Sequence, residues 1–401
     1  MTGQTGRKAP LIRFKEFEAE WADEKIGDVV AEKRRPIVLE DQQRYELITV
    51  KRRNEGIVSR GHLLGREILV KNYAQLHAGD FVISKRQVVH GATGITPPSL
   101  DGAIVSNEYL TAVDSDKLLT EFFTILAGLP AMRQKFFLSS YGVDIEKLFF
   151  DVEDWKKRAV KIPGVAEQAR IAALLRELDQ LISLHQRKHN QLAVLKKTML
   201  QKMFPQPGAT TPEIRFNGFS DEWEEKSLGG TGIFNPKEAL PDVFEYVDLE
   251  SVVGTEIVGH RTERRETAPS RAQRLAHQGD LFFQTVRPYQ KNNHLFTLAA
   301  KNYVFSSGYA QIRPYNDGSF LLGLMQRDQF VKVVLDHCTG TSYPAINANV
   351  LSEISVMVPS PEEQRKIGTY FRTQDELIAK HATQIKKLQQ IKSACLEKMF
   401  V

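Results

Sequence analysis

Mostly apolar side chains recur every three or four residues through two long stretches of the chain. The first reads Ile171, Leu175, Leu178, Ile182, His185, His189 and Leu192, continuing through Leu195, Met199 and Met203. The second reads Ile367, Phe371, Gln374, Ile378, His381, Ile385 and Leu388, continuing through Ile391, Cys395 and Met399. This spacing predicts two helices, each with a coiled-coil seam. Ser360-Pro361-Glu362-Glu363 marks a start for the second, as a capping box with Pro in the first turn and carboxylates facing the positive helix end. At 1.5 Å per residue a helix of this kind is about 60 Å long, too long to bury along one small domain. Each therefore needs a partner helix. Elsewhere the apolar runs are short and broken by Gly, Pro, Asn and Asp, as at 80–84, 103–106, 281–285 and 303–305, which predicts short strands. Residues 113–126 and 318–335 read as helices.

The two helical stretches are copies. Residues 160–204 align without a gap on 356–400, sharing Pro163/Pro359, Glu167-Gln168/Glu363-Gln364, Asp179/Asp375, His185/His381 and Lys202-Met203-Phe204/Lys398-Met399-Phe400. The repeat extends further. Ile12-Arg13-Phe14, Phe17, Glu20-Trp21 and Gly27 return in identical spacing as Ile214-Arg215-Phe216, Phe219, Glu222-Trp223 and Gly229, and Gly79-Asp80-Phe81-Val82 is answered by Gly279-Asp280-Leu281-Phe282. Between these anchors the halves diverge. The order is variable block, constant helix, variable block, constant helix, and it predicts an α+β fold with a pseudo-two-fold internal repeat. Two tandem mixed α/β domains with small β-sheets are separated by two long helices that form an antiparallel coiled coil with each other. The expected divisions are a disordered N-terminus at 1–10, a first domain at 11–159, a spacer helix at 160–204 and a Pro-rich linker at 205–212. A second domain at 213–355 and a second spacer helix at 356–401 complete the chain.

Composition adds bounds. A length of 401 residues leaves room for two or three domains. The net charge of +5 suits a polyanionic partner without requiring one. Two cysteines, Cys338 and Cys395, are too few for a disulfide framework, and no stretch approaches the ~20 apolar residues of a membrane span. A cytoplasmic protein with no membrane partner is expected. Catalytic signatures are missing: there is no Gly-Lys pair for a phosphate loop, no His-Glu-x-x-His and no Asn-Pro-Pro-aromatic run. His185 and His189 lie one turn apart as metal ligands might, but position 189 is Ile385 in the other copy, and polar seam residues serve to fix register. No catalytic residue, metal or cofactor is therefore expected on this chain.

Two loops hold the sharper chemistry. Lys85-Arg86-Gln87 with His90, and Arg287 with Tyr289-Gln290-Lys291-Asn292-Asn293, follow the Gly-Asp strand at matching places in the two halves. Arg pairs bidentately with guanine, and Gln or Asn with adenine, so these side chains are candidates for reading bases in double-stranded DNA. They are also ordinary loop residues. The pairs Arg52-Arg53 and Arg264-Arg265, with Arg60, Arg261, Arg271 and Arg274, fit phosphate contacts better than base contacts.

Taken together, the chain resembles the specificity (S) subunit of bacterial type I restriction-modification systems. The resemblance rests on the tandem I-R-F-x-x-F-x-x-E-W openings, the Ser84-Lys85-Arg86-Gln87 and Val286-Arg287-Pro288-Tyr289 segments, Gly340-Thr341-Ser342, and Pro359-Ser360-Pro361-Glu362-Glu363-Gln364 leading into the second long helix. It implies two target-recognition domains, each reading one half of a bipartite asymmetric DNA target, held apart by the two conserved helices. It further implies a non-catalytic subunit that docks two methyltransferase subunits and can be joined by two restriction subunits. S-adenosylmethionine, ATP and magnesium would belong to those partners. One departure is Pro163-Gly164-Val165, where the first helix lacks the Pro-Glu start of its copy and a looser start is expected. The alternative is a two-headed coiled-coil scaffold that binds proteins and has no DNA specificity.

Overall fold

The computed structural model describes residues 9–70, 72–144, 148–340 and 342–401. Residues 1–8, where most of the expected disordered N-terminus falls, and Thr341 of the Gly340-Thr341-Ser342 motif lie outside the described residues. The fold is mixed α and β with small sheets. It divides into two compact units, Met1–Leu184 with Ile385–Val401, and His185–Gln384. The helices Val165–Lys202 and Pro361–Lys398 each give one part to either unit.

The first unit has two main sheets. In one, Phe81–Ser84 lies between Tyr109–Val113 and Thr93–Ile95, with Ala31–Glu32 at the edge beyond Tyr109–Val113. In the other, Ile104–Ser106 pairs parallel with Arg44–Val50 and antiparallel with Tyr73–Gln75, while Ile57–Leu64 and Pro36–Ile37 form the edges. The second unit repeats both patterns. Leu281–Gln284 lies between Tyr309–Pro314 and His294–Leu295, with Gly232–Phe234 at the edge, and Tyr303–Ser306 pairs parallel with Val243–Val247 and antiparallel with Ala272–Leu275. The strands expected at 80–84, 103–106, 281–285 and 303–305 are present to within a residue at each end. The helix expected at 113–126 is not as drawn. Residue 113 ends a strand and the helix is Thr120–Gly128, because Asp114 accepts hydrogen bonds from the backbone and hydroxyl of Thr120 and so stops the chain from turning earlier. The stretch 318–335 is two helices, Gly318–Met325 and Asp328–Asp336, broken at Gln326-Arg327.

The repeated openings and repeated helix starts meet one another within each unit. In the first, Arg13 donates to both carboxylate oxygens of Glu167 at 2.8 and 2.7 Å. In the second, Arg215 does the same to Glu363 at 2.7 and 2.8 Å. Both glutamates are buried, and each neighbouring Gln donates to a Pro carbonyl, Gln168 to Pro163 and Gln364 to Pro359. The backbone N–H of Glu363 donates to Ser360 Oγ at 3.3 Å, one half of the expected capping box. The other half is not made, because the Glu363 carboxylate is taken by Arg215. The looser start of the first helix is not seen either: it begins at Val165, the repeat equivalent of Pro361, with Gly164 O accepting from the N–H groups of Glu167 and Gln168.

The C-terminal ends of the helices close each core. Phe204 stacks on Phe320 and Phe371 and meets Trp223 edge-on, while Phe400 stacks on Phe122 and meets Trp21 edge-on. In the first unit Ile171, Leu175 and Leu178 are buried with Met399 and Phe400, and Leu388 and Cys395 pack against them. In the second, Ile367 and Phe371 are buried with Met203 and Phe204. Ile385 is buried, and Ile182, Leu192 and Ile378 are half-buried. The seam drawn from sequence departs at Leu195 and Ile391, which are exposed. The next residues, Lys196 and Lys392, turn inward to pair with Asp375 and Asp179 in their respective units. Among the described residues, no helix is long and apolar enough to cross a membrane.

Candidate nucleic-acid interface

The Gly-Asp dipeptides fix the loops that follow them. Gly79 and Gly279 have φ of 90° and 95°, which glycine adopts without strain. The aspartates that follow are buried. Asp80 accepts from His77 N–H and from Arg35, and Asp280 accepts from His277 N–H, Gln311 and Arg313. Each carboxylate is thus an internal anchor, and it holds its strand rigid where the candidate loop begins.

In the first unit the loop lies against a second one. Arg52 donates from Nε to Gln87 Oε1 at 2.8 Å, and Asn54 donates its backbone N–H to Gly91 O and its side-chain amide to Thr93. Arg53 and Asn54 hold φ of 60° and 57°, a left-handed conformation that costs free energy outside glycine and is enriched at functional sites. Arg53 is exposed, and its side chain makes no ion pair or hydrogen bond among the described residues. Lys85 donates to Asn107 O at 2.9 Å, and the exposed Arg86 donates to Glu108 at 2.6 Å. That pairing raises the pKa of Arg86 further above neutrality. His90 is half-buried in the same loop.

The second unit is built alike and presents different groups. Of the six candidates there, four serve the loop itself. Asn293 is 1% exposed, and its Oδ1 accepts from Gln284 N–H. Asn292 Oδ1 accepts from Gly254 N–H, and Gln290 Oε1 accepts from the Gln284 side chain at 2.9 Å. Lys291 donates to Gln326 O at 2.9 Å and pairs with Asp328, whose carboxyl it holds below the usual range. Burial keeps Asn293 from any base edge, although its Nδ2 has no partner, and the ammonium of Lys291 is already occupied. Arg287 and Tyr289 remain. Tyr289 is 49% exposed, and the Arg287 guanidinium lies over the ring of Tyr343 at 4.3 Å with no hydrogen bond or ion pair among the described residues. Tyr343, which sequence reading did not single out, comes alongside because Arg287 N–H donates to Pro344 O and Val286 bridges Ala345. The signal available was its place just after Gly340-Thr341-Ser342. Two other sequence candidates in this unit are less available: Arg261 pairs with Asp248 and Glu263, and Arg274 is buried enough to lower its pKa.

Residues 267–390, which include this second loop, match the family described as type I restriction modification DNA specificity domain. Over 193 residues the chain is 24% identical to the type I restriction enzyme HindI specificity subunit of Haemophilus influenzae. It is the stretch 267–390 that carries the likeness to this specificity domain. The matched stretch covers 45% of this chain and 41% of the Haemophilus protein, so it spans about two-fifths of that relative's length. Among solved structures, the chain is similar to the type I restriction-modification system S subunit from M. genitalium, with a TM-score of 0.57, 14% identity and coverage of 98% and 99% of the two chains. It also resembles the HsdS subunit from Thermoanaerobacter tengcongensis, with a TM-score of 0.48, 18% identity and coverage of 95% and 96%. The likeness to the M. genitalium protein is one of fold. The buried Gly-Asp anchors of this chain are its frame, and the loops after them are where its two units differ.

Proposed function

We infer that the chain is the non-catalytic, DNA-sequence-recognition subunit of a type I restriction-modification system. The observation that carries this reading is a frame that repeats, with its Arg–Glu pairs and buried Asp anchors, around loops that do not. One of those loops holds a half-buried guanidinium whose donors are unused among the described residues. Each unit reads one half of a bipartite asymmetric DNA target, and different loop side chains read different bases. The two long helices form an antiparallel coiled coil that fixes the separation of the half-sites, and their exposed faces dock two methyltransferase subunits. Two restriction subunits can join the same assembly. S-adenosylmethionine, ATP and magnesium are held by those partners. The DNA-contacting set in this reading is Arg53, Lys85, Arg86, Gln87 and His90 in the first unit, and Arg287, Tyr289 and Tyr343 in the second.

The test is to express the chain with its methyltransferase subunits and map methylated adenines across a genome. A split motif with a fixed gap is expected, together with DNA affinity that falls steeply with salt. Finding neither methylation nor salt-sensitive DNA binding would leave a protein-binding scaffold in its place.

A further inference from the structure

The Arg287 loop is built around one guanidinium. Arg287 and Lys291 both sit in the left-handed region, at φ 54° and 55°, bracketing the single turn Pro288–Gln290. Such strain in non-glycine residues persists only where the surroundings hold it. Here they do: the far end is clamped by Lys291 to Gln326 and Asp328, with Gln326 donating back to Lys291 O, and the near end by Arg287 N–H to Pro344 O. What this frame leaves unused is the guanidinium, five donors in a flat fork, lying on a tyrosine ring that is 65% exposed. The equivalent place in the first unit, just before the turn Val88–His90, is held by Gln87, which accepts from Arg52, while the neighbouring Arg86 lies over Phe149 at 5.9 Å with its guanidinium donating to Glu108.

We propose that Tyr343 is a specificity-determining positioning residue: its ring fixes the plane of the Arg287 guanidinium so that the free edge pairs bidentately with a guanine in the half-site read by the second unit. This rests on the DNA-recognition reading above. A flat cation stacked on a ring keeps its two outward N–H groups in one plane, the geometry that guanine O6 and N7 accept, whereas a phosphate accepts from many directions. With Gln87 in place of an arginine at the matching position of the first unit, the two half-sites are read by different chemistry.

The experiment uses the full chain in complex with its methyltransferase subunits, with motif mapping in cells and binding to duplex pools carrying each base at every motif position. Arg287→Ala should lower discrimination at one guanine by about 10- to 100-fold and leave the other half-site intact. Arg287→Lys keeps the charge and the fold but lacks the fork, and should relax the same position. Tyr343→Ala should relax that position too, while Tyr343→Phe retains it. Thermal midpoints of the two Tyr343 variants should match the parent, since the ring is exposed. If the Arg287 variants weaken all sequences equally and lower the salt dependence by about one phosphate, Arg287 is a backbone contact and the proposal fails. An unchanged motif in Tyr343→Ala also overturns it. If the parent complex selects no motif, the DNA reading fails first, and the two failures are told apart by that control.

Discussion

His185 and His381, each the repeat equivalent of the other, face one another from the two long helices with their Nδ1 atoms 2.8 Å apart. A contact of that length holds one proton between two nitrogens, and a second proton turns it into repulsion. Burial, then His185, and then Lys188, Lys380 and His189 push the pKa of His381 below its ordinary value. The folded state therefore favours the neutral ring, so its contribution to stability is complete above the ordinary histidine range near pH 6.5 and is lost as pH falls toward the depressed folded value. The thermal midpoint should drop between pH 7.5 and pH 5.5. His381→Gln should flatten that part of the profile. An unchanged slope in the variant would show that other groups carry the acid sensitivity.

Removing Arg215 leaves Glu363, 1% exposed, as a buried carboxylate without its partner. Arg215→Ala should destabilise the protein by about 3–5 kcal/mol, the usual cost of breaking a buried pair from one side. Arg215→Ala with Glu363→Gln should recover part of the loss. Denaturant melts of the three proteins check this, and equal losses in the single and double variants would argue against coupling.

Gly368 is Ala172 in the other copy, yet it cannot be exchanged freely. A Cβ there would come 2.0 Å from Asp317 Oδ1 and 3.0 Å from Phe320 N. Asp317 caps the helix Gly318–Met325 by accepting from Phe320 N–H at 2.8 Å. Gly368→Ala should displace that cap and cost about 0.5–2 kcal/mol, measured as a lower thermal midpoint. A midpoint equal to the parent's would mean that the cap is dispensable.

Exchange of residues 76–110, which lie wholly within the first unit and include Lys85, Arg86, Gln87 and His90, should change one half-site of the methylated motif and leave the other as it was. Deleting one heptad from both long helices should change the gap between half-sites or abolish binding. Alteration of both half-sites by the exchange would contradict recognition by one unit per half-site.

The sequence by itself determined the two long helices, the repeat and the Gly-Asp strand starts. These are local: helical periodicity, a cap and a turn dipeptide are set by neighbours a few residues apart, and duplication made each signal appear twice. The seam was legible except where charge intervened, since only a partner such as Asp375 draws Lys196 inward and leaves Leu195 out. Tertiary structure alone decided which loop residues face outward. Asn293 and Arg287 read alike as polar loop residues, but a hydrogen bond from Gln284 N–H holds one inside, and the clamps on the turn leave the other half-buried on the Tyr343 ring. Tyr343 lies far along the chain from Arg287, and only the pairing of Val286 with Ala345 brings them together. The parallel pairing of Arg44–Val50 with Ile104–Ser106, and of Val243–Val247 with Tyr303–Ser306, likewise depends on contacts distant in sequence. Spacing within a single stretch carries no trace of such partners, because the free energy that selects them comes from burial and hydrogen bonding across the fold.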